Sequence, residues 1–213
     1  MVTIGDHLSR AARQRGDAVA VIDRGAHIGW AALDAASDQL ACGLLGLRLV
    51  RGDRIGIIGL NQAEWLLLFY AAAKIGVGVV GLSVRDRDSA LEDMLSDSQA
   101  KVVFTLQQHD GFDFVAMLRR LLPRLPALRH VIEIDGVGLN SLAALAATPL
   151  EAGRLSAVRR RVMADDVAMV IYTSGITGRP KGAGLTHRSM LAAATAQAQH
   201  TRINHSDVLH VVH

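Results

Sequence analysis

Cysteine is almost missing from this chain. Cys42 is the single one in 213 residues, so no intrachain disulfide framework can form. With Ala41, Leu44 and Leu45 around it, the thiol reads as a small core residue. Aromatic residues make up only 4% of the sequence, so the core must be built from Ala, Leu, Val and Ile. A dominant charge of either sign is lacking too, the net charge being +3. Basic patches occur at Arg159-Arg160-Arg161 and between Arg119 and Arg129. They lack the interleaved aromatics on which nucleic-acid bases stack, so they read as solvated surface and no nucleic-acid partner is expected. No secretory signal opens the chain, because Asp6, His7 and Arg10 interrupt it before an apolar core forms; a cytoplasmic location is the expectation. No transmembrane span is expected either. The apolar stretches 65–73 and 75–82 are separated by Lys74, and Gly76, Gly78 and Gly81 break the second. A helix ending near Lys74 and then a buried strand accounts for both features.

What is present is an alternation of two periodicities. Ile4, Leu8, Ala11 and Ala12 recur at helical spacing and predict a helix over 3–14. Residues 18–23 and 27–30 flank Arg24-Gly25 and predict a hairpin. Leu33, Ser37, Leu40 and Leu44 mark one face of a longer helix ending near Gly46. A strand is expected at 54–59, then a helix carrying Trp65, Leu68 and Ala72 with Asn61 as its cap, then a strand at 77–80. A helix over 88–96, a strand over 101–105, a helix over 112–122 stopped by Pro123, and a strand over 130–134 follow. The stretch 139–163 reads as the least ordered, with a short helix at 141–146 and a basic linker. A strand at 167–172, a short strand at 183–185, a helix over 188–199 and an apolar run at 208–212 complete the chain. Strands alternating with helices imply an α/β fold, a wound, mostly parallel sheet with flanking helices.

The most informative stretch follows the apolar run 167–171. It reads Tyr172-Thr173-Ser174-Gly175-Ile176-Thr177-Gly178-Arg179-Pro180-Lys181-Gly182. Glycine lets backbone approach an anion closely and take up positive φ, and successive backbone N–H groups can form a concave nest for phosphate. Thr173, Ser174 and Thr177 add hydroxyl donors, and Lys181 adds a mobile point charge. Thr173, Ser174, Gly175, Ile176, Thr177, Gly178 and Lys181 are therefore the candidate nucleotide-phosphate ligands. The loop is not a Walker A motif, which needs Gly-Lys followed by Ser or Thr; here Pro180 precedes Lys181 and Gly182 follows it. An ordinary nucleotide-binding NTPase module is disfavoured on that ground.

The loop resembles the signature of the adenylate-forming (AMP-binding) enzymes, which include acyl-CoA synthetases and fatty-acid–CoA ligases. Their loop runs roughly Tyr-Thr-Ser-Gly-Thr/Ser-Thr-Gly-x-Pro-Lys-Gly, and only Ile176 departs from it. Other stretches resemble the family as well. They are Gly52-Asp53-Arg54-Ile55, Asn61-Gln62-Ala63-Glu64-Trp65, Ala73-Lys74-Ile75-Gly76, Leu95-Ser96-Asp97-Ser98-Gln99-Ala100-Lys101-Val102-Val103, Asp165-Asp166-Val167-Ala168 and Leu185-Thr186-His187-Arg188. Val80-Gly81-Leu82-Ser83 departs from a Val-Pro-Leu-Asn-like turn.

The resemblance implies an incomplete N-terminal domain of an adenylate-forming enzyme over 1–213, with the phosphate loop at 172–182 and the C-terminal lid domain absent. It implies ATP and Mg2+, the metal ligands not lying in this chain, a small-molecule carboxylic acid as substrate, and coenzyme A as co-substrate of the complete enzyme. Acyl-pocket, adenine, ribose and lid motifs follow this region in the family and do not occur here, so no catalytic residue is assigned and the chain is expected to be inactive alone. The rival reading is a truncated, non-catalytic nucleotide-binding or interaction protein. Self-association is expected, since a wound sheet cut partway leaves an unpaired edge.

Three other features are discounted. His205, His210 and His213 lie close in sequence, but on a strand His210 and His213 would face opposite ways, so no metal ligand is assigned. Asp165 and Asp166 diverge as neighbours in extended chain and read as polar residues leading into a strand. Ser174 lacks a Gly-x-Ser-x-Gly setting and a base, which leaves it a phosphate donor rather than a nucleophile. His187 is expected to stabilise the start of the helix that follows it.

Overall fold

The structure is a computed structural model describing residues 2–173, 180–204 and 206–211. It opens on helix α1 (Ile4–Arg15), fixed at its start by a capping box: Thr3 Oγ1 accepts from the Asp6 N–H, and Asp6 Oδ2 accepts from the Thr3 N–H. The hairpin β1 (Val19–Asp23) and β2 (Ala26–Gly29) turns through Arg24 and Gly25, both at positive φ. Helix α2 (Trp30–Gly46), β3 (Arg54–Ile58), α3 (Ala63–Lys74), β4 (Gly78–Leu82), α4 (Asp88–Ser98) and β5 (Val102–Thr105) follow. A two-residue pair, β6 (Gln108–His109) and β7 (Phe112–Asp113), precedes α5 (Phe114–Leu121). The chain then runs through β8 (His130–Glu133), α6 (Leu142–Ala146), α7 (Ala152–Arg159), β9 (Val167–Thr173), β10 (Lys181–Thr186) and α8 (His187–Thr201).

Six strands form one sheet in the order β10-β9-β4-β3-β5-β8. All neighbours are parallel except β9 and β10, which form an antiparallel edge. The central strands are buried on both faces, as a sheet covered by helices on each side requires. One face carries Ile55, Ile57, Val79, Val102 and Phe104 against α2, α3, α6 and α7. The other carries Ile58, Val80, Leu82, Val103 and Val170 against α4 and α5. The step from β3 to β4 and the return from β8 to β9 run one way along the sheet, through helices on the first face. The steps from β4 to β5 and from β5 to β8 run the other way through helices on the second. Opposite travel on opposite faces keeps the crossovers of one hand. Gly56 lies where this winding crowds β3: a Cβ there would sit 3.0 Å from Leu82 Cδ1 and 3.3 Å from Leu95 Cδ2 and Val103 Cγ2.

Four sequence expectations need correction. The N-cap position of α3 is Gln62 and not Asn61, and the Ala63 N–H is taken by Asp23 Oδ2 of the hairpin at 3.1 Å. The helix expected over 112–122 gives its first two residues to β7, because Asp113 Oδ1 accepts from the Ala116 N–H and starts α5 there, and Pro123 sits inside a 3-10 turn, Leu122–Arg124. The basic linker contains α7, pinned by buried Leu155. Val208, Leu209 and Val211 are exposed and in no regular element, so the described part of that run is not a strand.

One buried charge knits the first helices together. Lys74, at the end of α3, has its Nζ 2.6 Å from Asp34 Oδ1, 2.6 Å from Asp38 Oδ1 and 2.8 Å from the Asp34 carbonyl. Three ammonium donors thereby meet three acceptors. Ser9 donates to Asp34 at 2.8 Å, and Arg159 reaches both Asp38 and Ser9, so α1, α2, α3 and α7 share one network. Among the described residues no helix is long and apolar enough to cross a membrane.

Candidate active site

In wound sheets ligands gather beyond the carboxyl ends of the parallel strands. Strand β9 delivers the phosphate-loop motif to that end. Its ladder with β4 covers Met169, Val170 and Ile171 and goes no further. Tyr172 and Thr173 continue past it, paired only with β10, where Gly182 faces Tyr172 and Lys181 faces Thr173. Of the sequence-predicted ligands, Thr173 and Lys181 are thus brought opposite one another as the two ends of the loop, and both are exposed. The short strand expected at 183–185 begins earlier, at Lys181, which makes this lysine a strand residue at the loop's exit. Ser174, Gly175, Ile176, Thr177 and Gly178 lie outside the described residues, as do His205 and His213.

The chain has few lysines, and the other two are engaged. Lys74 is saturated by Asp34 and Asp38, and Lys101 pairs with Asp53. Lys181 makes no ion pair among the described residues.

Tyr172 is tied sideways. Its phenolic oxygen lies 2.5 Å from Asp97 Oδ2 and 3.1 Å from the Met94 carbonyl, both on α4. Burial and then the Asp97 carboxylate push the phenol well above its ordinary range, so Tyr172 is the donor and Asp97 the acceptor. Gly182 has no side chain to obstruct the ring. A Cβ there would stand 3.1 Å from Tyr172 Cζ and 3.1 Å from Val170 Cγ1. Sequence reading assigned Asp97 nothing; its only signal was its place in the 95–103 stretch.

Asp165, Asp166 and His187 sit at the amino end of β9, the end opposite Thr173. Asp166 takes a bidentate pair from Arg51 at 2.6 and 2.7 Å, and Asp165 one from Arg188 at 2.7 and 2.8 Å. Burial raises the Asp166 carboxyl, but Arg51 and the Met163 N–H outweigh it and leave it below the usual range. Each carboxylate serves a different arginine, as expected of diverging neighbours. His187 is wholly buried, and it ties α1 rather than capping α8: its Nδ1 accepts from the Ile4 N–H at 3.3 Å. Thr186 caps α8 instead, accepting from the Ser189 N–H. Burial depresses the His187 pKa, opposed by Asp166 and Asp6. His210 is exposed, and no group of three or more His, Cys, Asp or Glu side chains able to hold a metal occurs among the described residues.

The family described as AMP-binding enzyme matches residues 8–213. The chain belongs to this family. It is 33% identical over 153 residues to a long-chain-fatty-acid–CoA ligase of Mycobacterium tuberculosis, covering 71% of this chain and 25% of the relative. It is 29% identical over 208 residues to the medium-chain fatty-acid–CoA ligase of Escherichia coli, covering 97% and 37%. The fold superposes on an anthranilate CoA ligase solved with anthranoyl-AMP at a TM-score of 0.77 and 25% identity, covering 91% of this chain and 35% of that one. The chain therefore spans between a quarter and two-fifths of these proteins. The architecture is that of an N-terminal portion of an adenylate-forming ligase, as the motifs implied.

Proposed function

We propose that this chain is the phosphate-gripping N-terminal part of an ATP-dependent carboxylate-activating ligase, of the fatty-acid or other carboxylate–CoA ligase type. The observation that carries the reading is the placement of the loop motif at the carboxyl end of β9, with Thr173 and Lys181 facing one another at its root. In the reaction a carboxylate oxygen attacks the α-phosphorus of ATP, the bond from that phosphorus to the bridging oxygen breaks, and pyrophosphate leaves. Such catalysis is mostly positioning and electrostatic stabilisation. The loop residues 173–178 and Lys181 would hold the departing β- and γ-phosphates: backbone N–H groups and hydroxyls donate, and the lysine neutralises charge. Thioester formation follows when the coenzyme A sulfur attacks the acyl carbonyl and AMP leaves.

Groups that orient the acid, the adenosine and coenzyme A are not assigned within 1–213, and the domain is read as a partial AMP-binding unit that does not turn over alone. Mg2+ belongs to this chemistry; no group of three or more His, Cys, Asp or Glu side chains able to hold a metal occurs among the described residues, and no step is derived through a metal held by this chain.

The test is MgATP titration by calorimetry of wild type and Lys181→Ala, beside pyrophosphate exchange with a panel of carboxylic acids. A charge-assisted hydrogen bond is worth roughly 1.5–3 kcal/mol, so Lys181→Ala should weaken ATP binding about ten-fold or more. Unchanged affinity would remove the loop from the phosphates, and robust acyl-AMP formation by the 213-residue chain would overturn the partial-enzyme reading.

A further inference from the structure

The root of the phosphate loop has an unusual support. Beyond Ile171 strand β9 has lost its β4 neighbour, and its remaining partner β10 is the edge of the sheet. Tyr172, Thr173, Lys181 and Gly182 therefore form a two-stranded ribbon leaving the sheet, a unit that is marginal by itself in water. Something must hold its direction if the loop is to present donors to a phosphate.

We infer that Tyr172 and Asp97 are a positioning pair that clamps this ribbon to α4, with Gly182 as the seat of the tyrosine ring; the inference rests on the phosphate-loop reading above. The phenol crosses to a carboxylate 75 residues away in sequence, at 2.5 Å. Asp97 stands in the last turn of α4, which is bedded on the sheet by Leu91, Met94 and Leu95. The clamp therefore ends on a rigid body. Across the ribbon the ring lies close over Gly182, where a Cβ would press on Tyr172 Cζ at 3.1 Å. Packing against Tyr172 and Val170 is thereby one reason for a glycine at the end of the motif. Two stretches that sequence alone set side by side only through resemblance, 95–103 and 172–182, become one device. A hydroxyl donor aimed at an ionised acceptor is among the stronger protein hydrogen bonds, and a misplacement of about 1 Å in a positioning element can cost on the order of 100-fold in rate. The role is one of positioning, because the Tyr172 hydroxyl is spent on Asp97 and the Met94 carbonyl of α4 and is not left for a ligand.

The experiment compares wild type, Tyr172→Phe, Asp97→Ala, the double variant and Asp97→Asn in the full 213-residue chain. Two readouts are taken: amide hydrogen exchange of β10 against β3–β5, and MgATP affinity by calorimetry. Tyr172→Phe and Asp97→Ala should each speed exchange at Lys181, Gly182 and Ala183 about ten-fold, leave β3–β5 unchanged, and weaken ATP about five- to ten-fold. The double variant should match either single one, and Asp97→Asn, which keeps an acceptor oxygen, should recover most of both effects. Unchanged β10 exchange would overturn the clamp. Faster exchange with unaltered ATP affinity would reduce the pair to a structural clip and also overturn the inference. If wild type itself binds no ATP, the phosphate-loop reading fails, and the positioning role fails with it, while the exchange data still decide whether the ribbon is clamped.

Discussion

Replacing Lys74 by methionine keeps the side-chain stem and deletes the charge. The Lys74 side chain is 0% exposed, whereas those of Asp34 and Asp38 are 19% and 26% exposed. Methionine therefore leaves two facing carboxylates without their ammonium. Removing one partner of a buried pair costs about 3–5 kcal/mol. The low end applies here, because both carboxylates keep some water, Ser9 still donates to Asp34, and Arg159 lies 3.3 Å from Asp38. A loss of about 3 kcal/mol is roughly two orders of magnitude in the folding constant and, in a domain of this size, roughly 6–12 °C in Tm. Urea unfolding followed by circular dichroism would show it as a lower midpoint with unchanged slope. Adding Asp34→Asn and Asp38→Asn should restore part of the loss, since the stranded charges go with their carboxylates. A Lys74→Met variant within about 1 kcal/mol of wild type would place the network with ordinary surface pairs and refute the reasoning.

Two further outcomes are expected. Ile176 replaces a hydroxyl of the family-like loop, and its branched side chain is stiff at χ1; Ile176→Thr should tighten MgATP binding about ten-fold or more by calorimetry, and no gain would mean that the side chain at 176 points away from the phosphates. For His187, burial holds the folded pKa below its unfolded value, so between the two the unfolded chain binds more protons and stability rises with pH. The contribution should be complete above the unfolded value of about 6.5 and lost as pH falls through the folded pKa. His187→Gln, followed by denaturant melts across that range, should flatten this dependence, and an unaltered pH profile would show that the Ile4–His187 contact does not report on protonation.

The sequence alone determined most of the order of elements. The short apolar runs 54–59 and 101–105 read as strands, and the spacing of Leu33, Ser37, Leu40 and Leu44 reads as one face of a helix. The loop motif was equally legible, because glycines, hydroxyls and a lysine at close spacing are local chemistry. What sequence could not show was anything decided by partners far along the chain. Asn61 carried the right residue type for a cap, yet Asp23 supplies the acceptor to α3 from a hairpin some 40 residues earlier. Lys74 looked like a helix end and is a buried charge, because Asp34 and Asp38 fold over it from α2. His187 looked like the start of its own helix and holds the first one, 183 residues away. Asp97 had no visible role until α4 came to lie beside the end of β9. Periodicity and turn chemistry are read within a few residues. Which polar group meets which is settled only when the sheet has wound and desolvated them, since a buried donor or acceptor must then take whatever partner the packing brings.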